Sequence, residues 1–226
     1  MVGQPEQCPL IILDRANAQG GNKMRSEISL KERGNVKTLT KIGVLSAIAT
    51  LLMLIDFPLW LAPNFYKLDL SEVPVLIGAF ALGPVAGVTI ELIKILLNFV
   101  LNGTDTGGIG EIANFIVGCS FILPAAYIYR QNKTVKIAVI GLIVGTLTLT
   151  IAGSLLNYFV LLPVYSKVYG APIEAFISMG NAINPAITDL KTFVLFAVAP
   201  FNLLKGTIVS AFTVLIYKRI SPILHR

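Results

Sequence analysis

The chain has 226 residues, of which 55% are hydrophobic and only 13% charged, with a formal net charge of +6. A soluble fold of this length needs far more charge to cover its surface, so the composition is that of an integral membrane protein. The single histidine, His225, excludes histidine triads, HExxH zinc sites and haem ligation inside a membrane. Cys8 and Cys119 lie in unrelated contexts, one in a polar stretch and one in an apolar run, and imply neither a disulfide framework nor a metal knuckle. The basic residues gather at the ends and in one loop, which fits a positive-inside membrane topology better than nucleic-acid binding.

Residues 1–36 read as a polar cytoplasmic tail, whose one apolar run, "PLIIL", is far below the ~20 residues of a span. Its basic residues follow that run, the reverse of a signal peptide. A start of translation at Met24 would account for such a tail. Residues 37–226 form the membrane domain, with apolar segments at about 38–57, 72–83, 84–101, 110–129, 135–164 and 200–219. Six helices are therefore predicted, the second short for a span. In "LGPVAG" (82–87), Gly83 and Pro84 turn the chain tightly and the proline opens the third helix. The connection 165–199 is long, and "PIEAFISM" and "ITDLKTFVLFAV" predict short helices within it, the second alternatively a seventh span.

With both termini cytoplasmic, all but five of the 18 basic residues face inside, the exceptions being Lys67, Lys94, Lys167, Lys191 and Lys205. Asp56, Asp69, Glu72, Glu91, Asp105, Glu111, Glu174 and Asp189 accompany those five. The fold class is thus an all-α integral membrane protein with six transmembrane helices and both ends inside. That topology sends the polar residues of the helices to the outer half. Asn98 and Asn102 close the third helix and Glu111 and Asn114 open the fourth. Asn157 and Tyr158 end the fifth, and Asn202 and Lys205 open the sixth within "APFNLLKG" (199–206).

Polar groups at such depth are costly unless paired or facing water. Two readings compete: in one, Glu91 and Lys94, spaced i and i+3, neutralise each other on one helix face and asparagines such as Asn98 and Asn114 bond between helices; in the other, the outer ends of the helices surround an aqueous cup that opens outward. Asn202 and Lys205 share a face and have no acid in their own helix. With Asn157 they are read as lining a pocket that opens outward. Amides and a lysine between the apolar and aromatic walls of "LLNYFVLLPVY" and "IDFPLWLAPNFY" suit a flat, neutral heterocycle with polar edges, and suit an ion poorly. The stretch 57–75 is either an interfacial aromatic belt, with Trp60 and Tyr66 at headgroup level, or a lid over the pocket. No GxxxxGK[ST] loop and no inverted repeat is present, so transport needs an energised partner. On the first helix, Gly43 and Ala47, and Ser46 and Thr50, offer small residues four apart where another helix can approach.

"FYKLDLSEVPVLIGAFALGPVAGVTIELIKILLNFVLNGTDTGGIGEIANFIVG" (65–118) and "APFNLLKG" closely resemble the riboflavin-binding S components of the energy-coupling factor (ECF) vitamin transporters of prokaryotes. The likeness runs from about Lys37 to the C-terminus. It implies six helices, no enzymatic activity, no cofactor and no metal. It also implies riboflavin as the transported ligand, a multi-pass place in the plasma membrane, and partnership with a transmembrane coupling protein and two ATPase subunits. It further implies that Asn157 of "LLNYF" and Asn202 and Lys205 of "FNLLKG" hydrogen-bond the pyrimidine-like edge of the flavin ring. Leu61, Ala62 and Asn64 of "LAPN" would cover the ring. Gly43 and Ala47 resemble the family's alanine-rich docking face, with glycine where alanine is usual. Two other readings stand beside this one. One is an S component for a different heterocyclic vitamin. The other is a small intramembrane lipid enzyme, which would need paired carboxylates at the cytoplasmic face, whereas the membrane-proximal acids here lie mostly outside.

Overall fold

A computed structural model describes residues 36–59, 62, 63, 65–104 and 106–224. Residues Met1–Lys41 and Ile42–Arg226 form separate units, and only 36–41 of the first are described. Those residues are the opening turns of α1, Val36–Met53. Along α1 the hydroxyls of Thr40, Ser46 and Thr50 donate to the carbonyl four residues back, so polar side chains sit in an apolar helix without orphan groups.

After α1 a small hairpin pairs β1, Phe57–Pro58, antiparallel with β2, Lys67–Leu68, setting Phe57 opposite Leu68. The chain then enters α2, Glu72–Leu82, which is buried along nearly its whole length because it is apolar all round. Gly83, at φ 105°, makes the turn that only glycine adopts cheaply, and Pro84 opens α3, Pro84–Asn102.

α4 (Ile109–Gln131) and α5 (Val135–Leu156) follow as an antiparallel pair. They approach closely because Gly141 and Gly145 of α5 face the backbone at Ala125 and Phe121. Beyond α5 come a π turn at Asn157–Leu161, α6 (Leu162–Val168) and α7 (Ile173–Asn181). Asp189 and Thr192 build a reciprocal cap on α8, Leu190–Phe193, which continues through a second π turn, Val194–Val198, into α9, Ala199–Leu224.

Among the described residues five helices are long and apolar enough to cross a membrane: Val36–Met53, Pro84–Asn102, Ile109–Gln131, Val135–Val168 and Leu190–Tyr217, with Glu72–Leu82 a shorter apolar helix. "PIEAFISM" forms α7 as predicted. "ITDLKTFVLFAV" differs from both expectations: it is neither a separate short helix nor a seventh span but the first turns of the last span, because the cap at Asp189 starts that helix ten residues before Ala199. Large apolar side chains such as Val44, Ile48, Leu96, Val100, Ile143, Leu147, Phe212 and Leu215 lie exposed, as hydrocarbon surroundings favour.

Two apolar clusters hold the helices. The larger centres on Leu76, Ile90, Phe121, Leu142 and Val209, and the smaller on Leu162, Phe176, Ile187, Phe193 and Val198 beside the π turns. At the opposite end Tyr217 meets Phe80 and Tyr129 edge to face while Phe80 and Tyr129 pack tilted on each other, the two tyrosine hydroxyls 2.7 Å apart.

Candidate functional site

The end of the molecule that carries the hairpin gathers the polar residues. Gly153 organises it. Its carbonyl accepts a hydrogen bond from Asn157 Nδ2 at 2.8 Å, one turn along the same helix. Its missing side chain leaves room for Asn202: a Cβ there would lie 2.7 Å from Asn202 Nδ2. Asn202 Nδ2 donates back to the Val198 carbonyl at 3.1 Å, and its Oδ1 has no hydrogen-bond partner among the described residues. Asn157 and Asn202 thus meet at Gly153, and Lys205 follows one turn beyond Asn202 on α9.

Each amide sits at a departure from regular helix. The Leu162 N–H bonds the Asn157 carbonyl and the Ala199 N–H bonds the Val194 carbonyl, both five residues back, and the two π turns touch each other. Such turns widen the helix and re-aim side chains, and they recur where helices carry function.

The loop that joins the two strands of the hairpin fastens onto the same residues. Tyr66 Oη donates to Asn157 Oδ1 at 2.6 Å, and its ring packs on Phe65, Phe193 and Phe201. Burial, then Tyr165, holds its hydroxyl above the usual phenol range, so it stays a donor. Tyr66 therefore turns inward, away from a headgroup belt. Ala62 is buried. Leu61 and Asn64, and Trp60 with them, lie outside the described residues.

Lys205 is not without a counter-charge. Its Nζ lies 2.9 Å from Asp69 Oδ2. The absence of an acid in its own helix misled the sequence reading, since the partner comes from the segment before α2, 136 residues away. Asp69 Oδ1 accepts from the Ser71 backbone N–H at 2.9 Å and from the Ser71 hydroxyl. Burial alone would raise the Asp69 carboxyl, but Lys205, then Lys94 and the Ser71 hydrogen bond outweigh it and carry the value down to about 2.

Beneath this pair lies a second ionic group. Lys94 Nζ bonds Glu72 Oε1 at 2.8 Å and stands 2.7 Å from Glu91 Oε2, the latter an ion-pair contact without hydrogen-bond alignment. Glu91 and Lys94 do pair on one face of α3, and Glu72 joins them from α2. Gly118 of α4 makes the space, because a Cβ there would collide with the Glu91 carboxylate. The expected bonding of asparagines between helices does not hold for Asn98, whose buried Oδ1 has no partner among the described residues.

On α1, Gly43 and Ala47 lie on an exposed face and nothing stands within 4 Å of a Cβ placed at Gly43. Ser46 and Thr50, the other pair of small residues, point into the protein and are buried, so they offer no face to another helix.

Comparison with known proteins decides the family. The model of the ECF transporter substrate-specific component matches residues 37–217. The chain belongs to that family. As an S component it is 38% identical over 190 residues to the riboflavin transporter RibU of Staphylococcus aureus (strain TCH60), covering 84% of this chain and 93% of that one. It is 36% identical over 190 residues to the riboflavin transporter FmnP of Bacillus subtilis (strain 168), covering 83% of this chain and 93% of that one. A solved S component of a bacterial ECF transporter superposes with a TM-score of 0.66 at 37% identity, covering 85% of this chain and 99% of the other. The S component is a membrane-embedded, substrate-binding subunit that works with an ECF module, and it is not an enzyme. Its substrate is cargo and no cofactor is indicated.

The sequence reading missed Gly153, Asp69 and the inward role of Tyr66. Asp69 and Ser71 in "LDLSE" are spaced as an Asx turn and were legible as a loop device. Nothing in the sequence pointed from them to Lys205.

Proposed function

We propose that this S component captures riboflavin from outside the cell and hands it to an ATP-driven module for uptake. The observation that carries the reading is the convergence of Asn157 and Asn202 on Gly153, with Lys205 one turn beyond Asn202, beside the apolar and aromatic walls of Phe201, Phe193 and Tyr66. Amides offer donors and acceptors and the lysine offers donors, which complements the alternating carbonyl and N–H edge of a flavin ring. Relatives at 36–38% identity over most of the chain are riboflavin transporters.

In this reading Asn157, Asn202 and Lys205 bond the ring edge, and Leu61, Ala62 and Asn64 close over it. Glu72–Leu82 completes six spans with the five long helices, and both termini are cytoplasmic. Residues 1–36 form a tail before the membrane domain of 37–226, and the pocket opens outward across the plasma membrane of a prokaryotic cell. The partners are a transmembrane coupling protein and two ATPase subunits, met through the face of Gly43 and Ala47. Titrating riboflavin with the purified chain tests the central claim: its fluorescence is quenched at micromolar protein or below, and an unchanged signal refutes the reading.

A further inference from the structure

The proposed site uses Lys205 but does not account for what aims it. A lysine is a compact charge on a flexible stem, and in the second turn of an apolar helix it makes a poor fixed point unless another group holds it. Here the holder comes from a different element. Asp69 Oδ2 accepts from Lys205 Nζ at 2.9 Å, while Asp69 Oδ1 is clamped by the backbone N–H and hydroxyl of Ser71. The other N–H bonds of Lys205 have no partner among the described residues, and its side chain keeps 14% of its surface exposed. Glu72 also attracts Lys205, but its Oε1 is already taken by Lys94 at 2.8 Å. Without the Asp69 charge, Lys205 would turn inward to Glu72 or outward to water, and either move takes its ammonium away from the place where Asp69 holds it, one turn beyond Asn202.

We propose that Asp69 is a positioning residue for ligand capture, which fixes the Lys205 ammonium one turn beyond Asn202 with its free N–H bonds available to a neutral carbonyl acceptor. The salt-bridged pair supplies charge-assisted donors while remaining neutral overall, so it suits an uncharged ring edge and gives no net attraction to an anion. This inference rests on the reading of Lys205 as a ligand side chain.

A double-mutant cycle tests it, with riboflavin titrations on the wild-type chain, Asp69→Asn, Lys205→Met and the double variant, and thermal unfolding of each without ligand. Each single change weakens binding about 10-fold or more. The double variant binds within about 3-fold of Lys205→Met alone, because Asp69 has nothing left to position. Losses that multiply, or an Asp69→Asn chain that binds as wild type does, overturn the inference. If Asp69→Asn is too unstable to titrate, Asp69→Glu, which keeps the charge on a longer arm, takes its place in the same cycle. Wild-type affinity in Lys205→Met overturns the inference and leaves riboflavin capture standing. Failure of the wild-type chain to bind riboflavin overturns both.

Discussion

Lys94 and Lys205 are both buried lysines paired with carboxylates, yet their surroundings differ in one decisive respect. Lys94 is wholly inside and meets two carboxylates, Glu72 of α2 and Glu91 of its own helix. Lys205 meets one, Asp69, and keeps part of its side chain exposed at the polar end of the molecule. A lysine surrounded by carboxylates and closed from water holds helices together. One tied by a single carboxylate is fixed in place and still has hydrogen bonds to give. The difference separates an ionic core from a binding site, although both are lysines in apolar helices.

The sharpest way to break that contrast is Lys94→Met. It strands Glu72 and Glu91 in a low-dielectric interior, and thermal unfolding should show a loss of about 3–5 kcal/mol, with riboflavin affinity of the remaining folded protein little changed. A variant that unfolds normally but loses binding would place Lys94 in the site. Next in size, Asn202→Ala and Lys205→Ala should each weaken riboflavin binding by about 1–3 kcal/mol, the cost of a buried partner left unpaired. Unchanged affinity in both would move the site elsewhere.

A smaller effect comes from pH. Asp69 titrates lower in the folded chain than in the unfolded one, so the stability it contributes is present above its unfolded value and is lost as pH falls through about 2. Its pairing with Lys205 should therefore leave riboflavin affinity flat from about pH 7 down to about pH 4. A titration that fades well above that range would show that another group controls Lys205. Gly43→Trp should leave both lysines untouched, with unfolding and riboflavin binding as in wild type, while uptake into cells is lost because the exposed face of α1 is blocked. Normal uptake would refute that docking face.

Much of the fold was legible because crossing a membrane imposes a length and a composition that each segment carries in itself. The short second helix, the Gly83–Pro84 turn and the helix at "PIEAFISM" follow from local rules of this kind. The last span was misjudged at its start because the Asp189–Thr192 cap was not recognised, and with it the helix gained the turns before Ala199. In the site, Asn157, Asn202 and Lys205 stood out as polar residues in apolar helices, and Asn157 and Asn202 meet at Gly153. Their meeting point, Gly153, was silent, since a glycine in an apolar run gives no sign of which neighbour fills its space. Ser46 and Thr50 looked like the counterpart of Gly43 and Ala47, but spacing alone does not say which face of a helix turns inward.

Taken by itself, the sequence determined that the chain lives in a membrane, where its apolar helices run, and which polar residues lie deep enough to need a partner or a ligand. Those are properties of single segments and of the cost of burying charge. Only the tertiary structure decided which partner each one found. Asp69 with Lys205, Tyr66 with Asn157 and Glu72 with Lys94 join residues distant in sequence, and such pairings depend on the rotation of each helix about its axis and on the glycines that let neighbours approach.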